Sequence, residues 1–103
     1  DYDLLLFIAN WPNTRIASWD ALLKARAIEN QTYVVGLNRV GIDGFNAEYP
    51  GHSQVLDPEG YCISMAPEYE VGLVEVTLSK NYLMAYRKRH PFLSDRDAFT
   101  ITD

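Results

Sequence analysis

A chain of 103 residues, 48% apolar and 22% charged, is one domain at most and too apolar for a disordered tail. Its net charge of −5 repels phosphate, and no apolar run approaches the ~20 residues of a membrane span, so neither nucleic acid nor membrane is an expected partner. One Cys excludes a disulfide framework and a multi-Cys zinc site.

Tyr2 to Ala9 is a continuous apolar run and reads as a strand buried on both faces. The chain opens on Asp1 with this strand-like segment, so no signal peptide is expected. Nothing upstream is available to cover the strand, so the sequence is expected to begin in the middle of a domain. Asn10 to Thr14 ends the run, because Pro12 removes a ladder donor and Asn favours turns. From Ile16 the apolar period becomes helical through Trp19, Leu22, Leu23 and Ala27, with Thr14 or Ser18 as N-cap and Asn30 as stop. Thr32 to Asn38 is a second, β-branched strand, making a crossover between neighbouring strands.

Gly41 to Gly51 carries three Gly and one Pro and is expected to be a long loop, the kind of segment that often carries function. Ser53 to Leu56 and Tyr61 to Met65, joined by Asp57-Pro58-Glu59-Gly60, read as a hairpin. Gly72 to Leu78 alternates like a strand. Ser79 then caps a helix from Lys80 to about Lys88, whose basic end suits the helix dipole, and an extended tail follows from Pro91.

Four stretches in this order resemble the nitrilase, or carbon–nitrogen hydrolase, superfamily: Tyr2 to Trp11 (YDLLLFIANW), Arg26 to Asn30 (RAIEN) running on through Tyr33–Val35, Gly51-His52-Ser53 with Asp57 to Gly60, and His90 to Leu93. The resemblance implies an α/β fold, the C-terminal part of an α-β-β-α sandwich with a mixed sheet. Residues 1–103 would form the C-terminal portion of a single hydrolase domain. It also implies a Glu-Lys-Cys catalytic set, in which a thiolate attacks an amide carbon, Glu is the base and Lys stabilises the tetrahedral intermediate.

The family's Cys-Tyr-Asp-type motif, its Glu and its Lys do not occur in these residues. The chain alone is therefore expected to be inactive and to need the N-terminal half of the same subunit as a partner. The resemblance further implies a homodimer or higher homo-oligomer. Asn10-Trp11 and Gly51-His52-Ser53 look closest to the ω-amidase-like branch, whose small-molecule substrates are terminal amides of dicarboxylic monoamides such as 2-oxoglutaramate. The rival class is a non-catalytic α/β interaction module. No cofactor and no metal is expected, since His52 and His90 lack ligand spacing. The single thiol fits a reducing, cytoplasmic setting.

Asn10, Trp11 and Thr14 follow the C-terminal end of a buried strand, where ligands of α/β sheets bind, and are the candidate substrate-binding residues. Without the resemblance they would read as a turn with a packed Trp. Cys62 lacks a neighbouring base and is expected to be buried and structural. Arg26 and Glu29 share a helix face and are expected to pair. His52 fits a hydrogen-bonded loop histidine better than a general base. Phe45 and Tyr49 are candidates for a pocket rim or a subunit contact. The basic run Arg87 to His90 reads as a solvated helix cap before a phosphate site. The stripe Ile16, Trp19, Leu22 and Leu23 reads as core or subunit interface.

Overall fold

A computed structural model describes residues 2–102. Its elements are β1 (Leu4–Ala9), α1 (Ile16–Asn30), β2 (Tyr33–Asn38), β3 (Val40–Ile42), β4 (Glu48–Pro50), β5 (Gln54–Leu56), β6 (Cys62–Met65) and α2 (Lys80–Arg89), with 3-10 turns at Asn13–Arg15 and Phe92–Asp95. The main sheet runs β1-β2-β5-β6. β1 and β2 are parallel from Leu4 opposite Tyr33 to Ala9 opposite Asn38, and the two other pairings are antiparallel. The fold is thus mixed α/β, and the strand–helix–strand crossover is present as the sequence predicts.

The core forms where α1 lies on the sheet. Trp19, Leu23 and Ala27, each one turn apart, meet Val34 of β2 and Leu56 of β5, with Leu5, Phe7 and Ala9 of β1 packed alongside. Gly36 makes this approach possible: a Cβ there would sit 2.5 Å from Leu23 Cδ1 and 2.8 Å from the Trp19 ring. The remaining β1 side chains, Leu4, Leu6 and Ile8, point the other way and are exposed. The molecule measures 46 × 41 × 17 Å, the thinness of one sheet with one layer of helix. β1 is therefore apolar on both faces but covered on only one.

α1 ends after Asn30 in a Schellman closure. Gln31 takes φ 45°, ψ 53°, its N–H donates to Ile28 O, and Thr32 N–H donates to Ala27 O at 3.2 Å. The helix start departs from expectation. Arg15, not Thr14 or Ser18, holds the N-cap position and makes no side-chain cap bond. Pro12 is the reason: its carbonyl accepts from Arg15 N–H at 3.1 Å and winds the entry as a 3-10 turn, which leaves Ser18 inside the helix.

Four further expectations are corrected. Gly41 to Gly51 is not an irregular loop, for β3 and β4 pair antiparallel there. The Asp43 carboxylate organises the tip by accepting from Phe45 and Ala47 N–H at 2.8 and 3.0 Å, and Gly41 (φ 108°) and Asn46 (φ 62°) supply the positive φ. Gly72 to Leu78 forms no ladder among the described residues. All its residues but Leu78 are exposed. Cys62 is exposed, because β6 is an edge strand paired with β5 alone, and its Sγ donates to Ser64 O at 3.4 Å. The tail beyond Pro91 begins with the 3-10 turn Phe92–Asp95.

The hairpin β5–β6 and the helix α2 match their predictions, with Ser79 Oγ accepting from Tyr82 N–H at 3.1 Å. Arg87 is more than a solvated cap. It donates to Gln31 O, Asp3 Oδ1 and Tyr2 O at 2.8, 2.9 and 2.8 Å, pinning α2 to the ends of α1 and β1. With that guanidinium committed, the basic run has no free fork for a phosphate at Arg87.

Candidate active site

The parallel pair β1–β2 ends at Ala9 and Asn38, and the chain leaving β1 turns back over that end. Asn38 fixes the turn with both atoms of its amide. Its Oδ1 accepts from Trp11 N–H at 2.7 Å, and its Nδ2 donates to Trp11 O at 2.8 Å. The Asn38 main chain is held in turn by Ser53, whose Oγ accepts from Asn38 N–H and donates to Asn38 O. A two-point clamp of this kind sets the Trp11 backbone without using its side chain.

The Trp11 indole is then locked in place by its own neighbours. Nε1 donates to Arg15 O at 2.6 Å, the Arg15 guanidinium lies 5.4 Å above the ring, and Trp19 packs at 5.7 Å with planes tilted by 42°. Phe7, Trp11, Trp19, Leu22, Leu23 and Arg26 border a cleft of about 140 Å³. Asn13 Nδ2 donates to Glu48 Oε2 at 3.1 Å, tying the 3-10 turn to β4. Asn10 and Thr14 flank this rigid unit, exposed, and their side chains make no hydrogen bond among the described residues. All three sequence candidates thus lie at one end of the sheet. Trp11 is held there through both its backbone and its indole, with the exposed Asn10 and Thr14 side chains beside it.

His52 is held on both sides of its ring. Nδ1 lies 3.1 Å from each Asp20 oxygen and Nε2 2.6 Å from Glu68 Oε1, so neither nitrogen is free to take a proton from a substrate. Burial opposes the charged ring. The hydrogen bonds to Glu68 and Asp20, with their negative charges, outweigh it and raise the pKa above the ordinary histidine value. Tyr49 is buried inside the β3–β4 hairpin: its OH donates to Asp43 Oδ2 at 2.8 Å and Arg39 stacks on its ring at 4.5 Å. That bond, ahead of those from Ala47 and Phe45, lowers the Asp43 pKa and raises that of Tyr49. Phe45, at the tip, is almost fully exposed. Arg26 and Glu29 pair at 3.1 Å on the surface of α1, as the spacing predicts.

Asn38, Arg15 and the Asp20–Glu68 pair around His52 are the residues that sequence reasoning missed. A polar Asn closing a buried strand was the one available signal. The other contacts join positions distant in the chain or depend on the 3-10 entry. Among the described residues no group of His, Cys, Asp and Glu is arranged to hold a metal, and no helix is long and apolar enough to cross a membrane.

Known proteins share this arrangement of elements. The chain is 46% identical over 101 residues to Omega-amidase YafV of Escherichia coli K12, covering 98% of this chain and 40% of that protein. It is 42% identical over 90 residues to the 2-oxoglutaramate amidase of Paenarthrobacter nicotinovorans, covering 87% of this chain and 30% of that one. A CN-hydrolase superfamily protein of Xanthomonas campestris, solved with an arsenic adduct in its active site, superposes with a TM-score of 0.94 at 41% identity, over 99% of this chain and 38% of that chain. The chain therefore spans only 30–40% of the length of these two curated relatives. Residues 2–90 match the profile of the carbon-nitrogen hydrolase family, and to that family the chain belongs.

Proposed function

We propose that the protein carrying this chain is an ω-amidase-like hydrolase that cleaves the terminal amide of small dicarboxylic monoamides such as 2-oxoglutaramate. The observation that carries the reading is the clamped Trp11 at the C-terminal end of β1–β2, with Asn10 and Thr14 unbonded beside it. Trp11 forms a rigid apolar wall, and the two polar side chains orient the substrate. The 46% identity to Omega-amidase YafV supports the substrate class.

In this reading residues 1–103 are the C-terminal portion of one hydrolase domain, and the nucleophile lies outside them. Cys62 does not serve: it is exposed on an outer strand and faces a carbonyl, not a base. A cysteine in the N-terminal half attacks the amide carbon, with Glu as base and Lys stabilising the oxyanion. Ammonia leaves, and water hydrolyses the acyl-enzyme. That half covers the open face of the sheet, and the complete subunits form a cytoplasmic homodimer or higher homo-oligomer.

The test is ammonia release by the full-length protein from 2-oxoglutaramate, set against a short aliphatic nitrile and a monoamide lacking the distal carboxylate. Turnover of the first well above the other two is expected. Preference for the nitrile would replace the amidase reading, and no turnover of any of them would favour a non-catalytic interaction module.

A further inference from the structure

Asp20 lies on α1, His52 between β4 and β5, and Glu68 beyond β6, so one imidazole joins three separate segments. A neutral ring has one N–H and one lone pair. It can donate to only one of these carboxylates and turns a lone pair on the other. The imidazolium donates to both. The same residue holds φ 53°, which side-chain-bearing residues seldom adopt, and its side chain is only 16% exposed.

The carbonyl of His52 accepts from Trp19 Nε1 at 2.9 Å and from Gln54 Nε2 at 3.0 Å, and Gln54 Nε2 also donates to Asp20 Oδ1 at 2.8 Å. Ring and carbonyl thus belong to one closed set of bonds, which ends on the indole packed behind Trp11. We propose that His52 is a positioning residue: bound through its ring to Asp20 and Glu68, it holds its carbonyl on the Trp19 indole and so steadies the ring that backs Trp11.

The charged groups facing the ring are Asp20 and Glu68; Gln54 is neutral. Because the folded-state pKa is raised, the full set of bonds is present below the ordinary value of 6.5 and is lost as pH rises through the higher folded value. The step from Trp19 to substrate rests on Trp11 being a pocket wall.

In the full-length protein, the Trp19 indole N–H resonance, assigned with Trp19→Phe, is followed against pH beside the His52 ring signals. Both should share one midpoint. In Glu68→Gln, whose amide can meet either form of the ring, the midpoint should fall and the indole response shrink. In His52→Asn, which tolerates positive φ but cannot span both carboxylates, the indole response should vanish. KM for the ω-amide should rise about fivefold through the midpoint in the wild type, with kcat little changed, and stay at its higher value at every pH in His52→Asn. A His52 that titrates while the indole stays still overturns the proposal. An indole that follows His52 while KM stays flat upholds the tie and sinks the Trp11 wall instead.

Discussion

On the α1 side of the sheet Trp19, Leu23, Val34 and Leu56 are at most 3% exposed, while on the opposite side Leu6, Ile8 and Leu37, from the parallel strands β1 and β2, are 57%, 80% and 49% exposed. The side chains are chemically alike on the two faces; what differs is coverage. Each large apolar side chain moved out of water is worth roughly 1.5–3 kcal/mol. The closed face therefore carries the stability of these residues, and the open face carries an unmet demand for a neighbour.

The sharpest way to break the contrast is at Leu23. Leu23→Ala in the full-length protein should cost about 2–5 kcal/mol, read as a lowered denaturation midpoint with an unchanged slope, because Leu23 lies in the buried cluster between α1 and the sheet. A cost near zero would mean that the face described as closed is not.

Trp11→Ala tests whether the same packing extends into the site. A fall of about ten- to a hundredfold in kcat/KM for a short ω-amide is expected, or ~1.4–2.7 kcal/mol of transition-state stabilisation. The thermal midpoint should move less than the ~3–5 kcal/mol of a core Trp truncation implies, since Trp11 is only half-buried. A large stability loss with unchanged kcat/KM would assign Trp11 to the core.

For the open face the prediction is qualitative. Residues 1–103 expressed alone should aggregate, because β1 offers an unpaired edge beside exposed Leu4, Leu6 and Ile8. Leu6→Lys with Ile8→Lys should raise the soluble fraction. A sharp, monomeric, well-dispersed amide spectrum from the unsubstituted chain would show that this face needs no cover. The smallest effect belongs to Cys62→Ser, which should change stability by less than about 0.5 kcal/mol and leave turnover within a few-fold, given the exposure of the thiol. Loss of turnover by orders of magnitude in a folded variant would make Cys62 the nucleophile.

What could be read from the sequence follows from the range of the forces involved. β1, α1 and β2 were legible because their apolar periods are local and strong. The β5–β6 turn was legible because Asp57 to Gly60 fixes its own geometry, with Gly60 at φ 91°. β3 and β4 were hidden by glycines that serve the hairpin, and Cys62 was misplaced because burial depends on which strand is outermost. In the site, Trp11 could be picked from its place after an apolar strand. Its clamp could not, for Asn38 is 27 residues away and only the parallel register brings them together. The His52 set is less legible still, since its carboxylates lie 32 and 16 residues off in opposite directions.

Gln31 has a consequence for how the molecule opens. The residue that stops α1 also donates through Nε2 to His90 O at 2.7 Å and accepts from Arg87 at its own carbonyl, while Tyr33 OH donates to Ser79 O at the other end of α2. Gly would relax the backbone at position 31 yet remove the side-chain bond to the far end of α2. Helix α2, with Leu83 as its one buried side chain, is thus moored at both tips and is expected to undock as a unit. Its amide protons should exchange together, through an opening shared with residues 31–33, rather than fraying one turn at a time.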